Sequence, residues 1–285
     1  MTDFDLDHVG IAVTDLDAAA TKFHRLGFQL TPRGYHTLPP PAPRAERPRV
    51  GTGNHCAMLR RGYLELIGVT EAAYRGRLRA DIARHEGLHI VAFGTTDAAA
   101  AVSALRSRGV EASGPRLLER PIEDGGETRL AGFEIVDFPE TALPEAHFFT
   151  IQHRTRELLW RPPLLTHPNG VVSLVTLTVA VTDPADFARR LGRILCVTPI
   201  DKDGLVLDLK IGQVRVVDGG WIAARLAGKI PDLPYLAGVN LGVADVAKTA
   251  DLLAQNGLPY QTKAGSLLIS PADACGAFIE FQAAL

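Results

Sequence analysis

Two histidines, His8 in LDHVGIAVTDL and His89 in GLHIVAFGTTD, stand at the heads of alternating apolar runs. Both runs end in Thr-Asp or Thr-Thr-Asp and pass into an Ala-rich segment. A polar ring at the start of a buried strand is costly unless something binds it. Two such rings in the same local setting suggest duplicated modules that build one metal site. The matching later strands supply Glu65 in GYLELIGV and Gln152 in FFTIQH. Alternation sets Glu65 on the face opposite Leu64 and Leu66. A slip of one residue would put His153 in place of Gln152. Two imidazoles, a carboxylate and an amide oxygen suit one divalent ion, Zn, Fe(II), Mn, Co or Ni, with open positions left for substrate.

Other residues could work beside that ion. Glu65 is the ligand best able to shuttle a proton, and His55, which opens a strand after Gly51-Thr52-Gly53-Asn54, is the second candidate. His55 reads equally as a strand-end histidine bonded to its own loop. The Pro-rich stretch 36–54 carries Arg44, Arg47 and Arg49. It could be a lid over an anionic substrate, although charge in a loop is usually only solvated. Arg49 and Asn54 adjoin the strand and are the substrate-binding candidates from this stretch. His153 and Trp160 are candidates from the segment after the second module. Trp160 would wall the pocket or, more simply, plug the gap between halves.

The elements that must position these groups repeat in order. A strand at 6–13 and a helix over Leu16–Leu26, capped by Asp15 and stopped by Gly27, are followed by strands at Phe28–Gly34, His55–Arg60 and Tyr63–Val69. The second segment runs through a strand at Leu88–Gly94, a helix near Ala98–Arg108, and strands at Glu111–Leu118, Glu127–Asp137 and His147–Gln152. RPPLLTHPNG, 161–170, is a turn-rich connector. Beyond it VTLTVAVTDPADFARRLG echoes HVGIAVTDLDAAATKFHRLG, and GVNLGVADVAKTADLLAQNG begins the pattern a fourth time. The expected fold is α+β: four βαβββ modules forming two curved-sheet cups. The first two modules, 1–160, would carry the metal site, and 171–285 would form a second, degenerate pair.

Composition narrows the setting. A chain of 285 residues with net charge −2 offers no field for nucleic acid or an anionic membrane. It shows no leader-like start and no apolar stretch long enough to span a bilayer. Three scattered cysteines, Cys56, Cys196 and Cys275, read as reduced thiols of a cytoplasmic protein.

DHVGIAV, YLELIGV and GLHIVAF resemble closely the metal-ligand strands of the vicinal oxygen chelate superfamily, and TIQH resembles the fourth such strand less closely. The superfamily includes glyoxalase I, methylmalonyl-CoA epimerase, extradiol dioxygenases and the bleomycin- and fosfomycin-resistance proteins. LDHVGIAVTDLDAAATKFHRLGF followed by GTGN and YLEL is most similar to its glyoxalase-like domain branch. The resemblance implies a first-strand His and a last-strand Glu or Gln in each metal-binding module. It implies isomerase or lyase chemistry on a small substrate that binds through neighbouring oxygens, with an enolate-type intermediate. His8, His89 and Glu65 would equally make the 2-His-1-carboxylate set of an Fe(II) extradiol dioxygenase. A non-catalytic drug-binding or resistance protein is the third reading. Thr176 and Gly238 replace the histidine in modules three and four, where only Glu280 stays ligand-like. The C-terminal pair is therefore expected to be metal-free, serving as a cover or as the surface of a homodimer.

Overall fold

The computed structural model describes residues 4–40, 42, 45–226 and 228–284. Arg44 lies outside the described residues. Each module opens with a strand and a helix whose N-cap is an aspartate. In chain order these are β1 (Asp5–Ala12) and α1 (Leu16–Arg25) with Asp15, and β5 (Gly87–Gly94) and α3 (Ala98–Ser107) with Asp97. The later modules open with β9 (Val171–Ala180) and α4 (Pro184–Leu195) with Asp183, and β13 (Tyr235–Val243) and α6 (Val246–Gln255) with Asp245. Every one of these carboxylates accepts a backbone N–H of the first turn. Such a cap stabilises a helix by about 1 kcal/mol and fixes where the chain turns off the sheet.

Three strands complete each module. They are β2 (Gly34–Thr37), β3 (Arg49–Met58) and β4 (Tyr63–Val69), and β6 (Ser113–Asp124), β7 (Glu127–Asp137) and β8 (His147–His153). In the C-terminal half they are β10 (Ile200–Asp201), β11 (Leu205–Asp208) and β12 (Gln213–Val217), and β14 (Gln261–Lys263), β15 (Ser266–Ile269) and β16 (Phe278–Ala283). The third and fourth modules thus have short outer strands. Helices α2 (Leu78–Arg84) and α5 (Gly219–Arg225) link the modules within each pair.

The N-terminal pair closes on itself. Neighbouring strands run β1-β4-β3-β2-β6-β7-β8-β5, and β5 returns to pair antiparallel with β1. The ring is narrowest in hydrogen bonding at β2 and β6, which meet only at Thr37 and Glu119. The C-terminal strands instead form a curved sheet, β10-β11-β12-β9-β13-β16-β15-β14, attached through Leu236 of β13 to Leu88 of β5. One apolar core runs under the helices of both halves, from Phe23 and Leu64 to Leu177 and Phe281. Two smaller apolar clusters fill the concave faces. Among the described residues no helix is long and apolar enough to cross a membrane.

Three strand expectations shift. Phe28–Gly34 is tied down by isolated bonds, such as Thr31 N–H to the Cys56 carbonyl at 2.9 Å, and strand pairing starts only at Gly34, beyond Pro32. Arg49–Asn54, expected in a lid, is the first half of β3, so the Pro-rich loop ends sooner. Strand β6 runs on to Asp124 through Pro121, which is tolerated because β6 is hydrogen-bonded along one side only at that point.

Candidate functional site

Alternation on eight strands turns one set of side chains into the ring. Thr52, Asn54, Cys56 and Met58 come from β3, Tyr63, Glu65 and Ile67 from β4, and Arg116, Leu118 and Arg120 from β6. Phe133 and Ile135 of β7, His147, Phe149 and Ile151 of β8, and Ile90 of β5 complete the wall. Together they enclose a cavity of about 260 Å³, with Arg77, Leu78 and Asp81 of the α2 segment on one side. The size suits a small molecule.

A bulge in β1 sets the polar end of the cavity. The pairing with β5 shifts between Leu6 and His8, leaving Asp7 unopposed. Bulges re-aim side chains in this way. Asp7 and His8 are consequently buried together, at 8% and 3% exposure. Nδ1 of His8 lies 2.7 Å from Oδ1 of Asp7, and Nε2 of His153 reaches the same oxygen at 3.1 Å. Burial pushes the Asp7 carboxyl up, but the charges and hydrogen bonds of His153 and His8 outweigh it and hold Asp7 well below the usual carboxylate range. With Asp7 ionised, Nδ1 of His8 is the donor to it, and the ring turns Nε2 to the opposite side. That nitrogen faces Oε2 of Glu65 at 4.0 Å. The ring itself stacks on Tyr63, centroids 4.2 Å apart.

Glu65 is fixed from its other oxygen. Asn54 Nδ2 donates to Glu65 Oε1 at 2.5 Å, and Asn54 Oδ1 accepts from Arg120 Nη1 at 3.0 Å. Cys56 lies 3.7 Å from the same Nη1. Burial pushes its thiol up to about 11, so it stays protonated and is a poor nucleophile or ligand at neutral pH.

The structure brings together His8, Glu65 and Asn54 and takes the other candidates elsewhere. His89 is a correction. It occupies a second shift in the β1–β5 pairing, between Gly10 and Ile11, and turns out of the cavity. Its Nε2 bonds to the carbonyl of His85 at 2.9 Å, and its Nδ1 lies 3.9 Å from Asp81. Burial lowers the pKa of His89. The pseudo-twofold of the ring shows why. Gly10 pairs with Ile90 and His8 pairs with Ala92, so the residue equivalent to His8 is Ile90. Counting back from the N-cap aspartates gives the same frame, with His8, Ile90, Thr176 and Gly238 each seven residues upstream. By the same symmetry Gly10–Glu65 corresponds to Ala92–Phe149, so Phe149 stands where Glu65 does.

Gln152 is also corrected: its Oε1 accepts the Ala98 N–H at 2.9 Å and helps cap α3, outside the cavity. His55 alternates with Asn54 and Cys56 and faces away, with Nδ1 2.9 Å from the Thr31 carbonyl, which removes it as the acid–base candidate. Arg49 stacks over Tyr35 on the outer surface, 4.6 Å from the ring centroid, and does not line the cavity. His153 does not line the cavity; it bonds the Asp7 oxygen that also holds His8, and packs edge-on against Tyr63 and Phe133 of the wall. Trp160 plugs the base, its Nε1 donating to Leu59 O at 3.0 Å and its ring edge-on to Tyr63 and His153.

The metal set anticipated from the sequence is therefore not assembled. Its second-module positions are Ile90 and Phe149, and among the described residues no three His, Cys, Asp or Glu side chains are grouped to hold an ion. The 2-His-1-carboxylate arrangement fails on the same His89. His8 and Glu65, with His36 and His147 on the same wall, are not grouped to hold a resident divalent ion, and Glu65 already accepts from Asn54.

The C-terminal cup differs in content. Glu280, the one ligand-like residue of modules three and four, is buried at 4% exposure. It pairs with Arg225 of α5 and accepts from Asn240 at 2.8 Å and from Ser266. Helix α5 fills this concave face with Ile222, Leu226 and Trp221.

His36, on the cavity wall, offers a stability test. Burial is the main cause that brings its pKa down to about 4, and the nearby Arg120 and His8 act the same way against Glu65. The unfolded chain takes up this proton near pH 6.5 and the folded one does not, so stability falls as pH drops from about 6.5 to about 4. His36→Gln should remove about 1–3 kcal/mol of that acid loss, measured as the difference in urea midpoints between pH 7 and pH 4.

The glyoxalase-like domain family model matches residues 6–195. A hypothetical protein from Staphylococcus aureus superposes with a TM-score of 0.68 at 17% identity, covering 99% of this chain and 100% of that one. A mutant of 4-hydroxymandelate synthase from Streptomyces coelicolor gives 0.61 at 14% identity, covering 99% and 92%. A xylose isomerase-like TIM barrel/4-hydroxyphenylpyruvate dioxygenase fusion protein gives 0.57 at 11% identity, covering 99% of this chain and 48% of that one. No curated protein matches the sequence significantly. With two thirds of its length under one family model, the chain belongs to the glyoxalase-like domain family.

Proposed function

We propose that the N-terminal ring is the active site of an acid–base enzyme acting on a small molecule, an isomerase or lyase that moves a proton next to a carbonyl. One observation carries this reading: a buried Asp7–His8 pair presents Nε2 to Glu65 across 4.0 Å at the wall of the cavity. That gap is too long for a direct hydrogen bond. A single substrate atom placed off the line between them lies within about 3 Å of both groups. Asp7 fixes the tautomer and the ring plane, His8 takes or gives the proton at Nε2, and Glu65 serves the opposite side. Tyr63, stacked on His8, limits rotation of the ring and keeps water from it.

The test follows proton exchange. Wild-type protein is incubated in D₂O with a panel of small hydroxy ketones and 2-oxo acids, and loss of the α-proton signal is followed by NMR. His8→Ala is expected to slow exchange by about 10²-fold or more. Equal rates in both proteins would overturn the reading. Ile90 and Phe149 also favour a second reading, a binding protein of the resistance type that needs no ion. Saturable binding by a wild-type protein that exchanges none of these protons would decide for it.

A further inference from the structure

We infer that Arg120 anchors the carboxylate of a small organic anion whose apolar body fills the N-terminal cavity. The inference rests on that cavity being the substrate site.

Arg120 is 5% exposed, yet no carboxylate lies within ion-pair distance of it among the described residues. Its hydrogen bonds are to Asn54 Oδ1 and Cys56 Sγ, and both use Nη1. Glu65 is reached only through the amide of Asn54. A buried guanidinium without a counter-ion is costly, because burial removes its hydration and nothing returns the lost interaction. The other deeply set arginine head of the cups, Arg225, is paired with Glu280. The free edge of Arg120 is Nε and Nη2, and neither is among the polar atoms sealed without a partner. That edge is the two-pronged donor that matches a carboxylate.

The chain around Arg120 is arranged to leave it there. A Cβ at Gly34 would come within 2.7 Å of Arg120 Cδ and 2.8 Å of Asn54 Oδ1, so a larger residue there would push on both partners of this contact. Leu118, Ile135, Phe133, Phe149 and Ile151 supply an apolar wall for the rest of the ligand. About 260 Å³ suits one ring or a short branched chain. Because Asn54 bonds both Arg120 and Glu65, an anion held by Arg120 sits one amide away from Glu65. Its neighbouring carbons then face the His8–Glu65 gap.

Calorimetric titration with 3-phenylpropionate and with neutral 3-phenylpropionamide tests this. Wild-type protein should bind the acid at least about ten times more tightly than the amide. Arg120→Met should abolish the preference, and Arg120→Lys should retain part of it. Urea unfolding separates anchor from scaffold: Arg120→Met should be as stable as wild type or more so, since it removes an unpaired buried charge. Equal binding of acid and amide, no binding of either, a preference that survives in Arg120→Met, or a marked loss of stability in that variant would each overturn the anchor. An Arg120-dependent preference without His8-dependent exchange would leave the anchor standing and sink the acid–base reading. Exchange on neutral hydroxy ketones that persists in Arg120→Met, with no acid preference, would do the reverse.

Discussion

Ile90→His combined with Phe149→Glu is expected to create a divalent-metal site where the wild-type chain lacks a full donor set. The ring pairs Gly10 with Ile90 and His8 with Ala92, so Ile90 faces the cavity as His8 does, and Phe149 faces it as Glu65 does. Filling those two places gives two imidazoles and two carboxylates converging from equivalent strand positions. Sets of that kind hold Zn, Mn or Fe(II). Gly10 already makes room, since a Cβ there would meet Ile90 at 2.7 Å, and an imidazole is close to isoleucine in bulk. Affinity for Zn²⁺, followed by competition with a chromophoric chelator, should rise by about three orders of magnitude or more over wild type. His89→Ala introduced into either background should leave that affinity unchanged, because the His89 ring bonds the His85 carbonyl outside the cavity. Loss of zinc binding on removing His89 would instead restore the ligand frame read from the sequence alone.

That frame shows what the sequence could and could not reveal. The module order was legible because four N-cap aspartates and four alternating first strands repeat. The inward phase of His8 and Glu65 follows from the same repetition. His89 was misplaced by one residue, and one residue on a strand is a change of face. The cause is a bulge that the side-chain pattern does not announce, since Leu88, His89, Ile90 and Val91 are all buried and no polar outer face marks the phase. The spacing to Asp97 was the better ruler, because an N-cap fixes the strand end. Nothing in the sequence pattern marks Asp7, yet the bulge at Leu6–His8 turns it inward to orient His8. Arg116, Leu118 and Arg120 do alternate in RLLERPIED. Pro121 and the surrounding charges nevertheless interrupt the apolar pattern, and the expected strand stops at Leu118. Helices α2 and α5 carry too few residues for a periodic signal, and their role in closing each cup comes only from tertiary packing.

Glu280→Ala is expected to be among the most damaging single substitutions, costing about 3–5 kcal/mol of stability. Glu280 stands in β16 where Glu65 stands in β4: Asn240 pairs with Glu280 as Gly10 pairs with Glu65. The two carboxylates have nevertheless met different fates. In the N-terminal ring Glu65 faces open space and its nearest arginine is held off by Asn54. In the C-terminal cup α5 has moved in, Arg225 closes directly on Glu280, and Asn240 and Ser266 take its remaining lone pairs. Removing the carboxylate leaves Arg225 charged and buried, with two polar neighbours unsatisfied. Urea unfolding at neutral pH should show the loss as a lower midpoint. Adding Arg225→Met and Asn240→Leu should recover most of it, as apolar replacement of a whole buried ion pair commonly does. Binding of 3-phenylpropionate should be unchanged in the folded triple variant, since its changes lie outside the N-terminal cavity. Weakened binding in that variant would show instead that the C-terminal cup shapes the site. The contrast assigns one carboxylate position to stability, where its charge is fully answered, and the other to chemistry, where a buried arginine still lacks its anion.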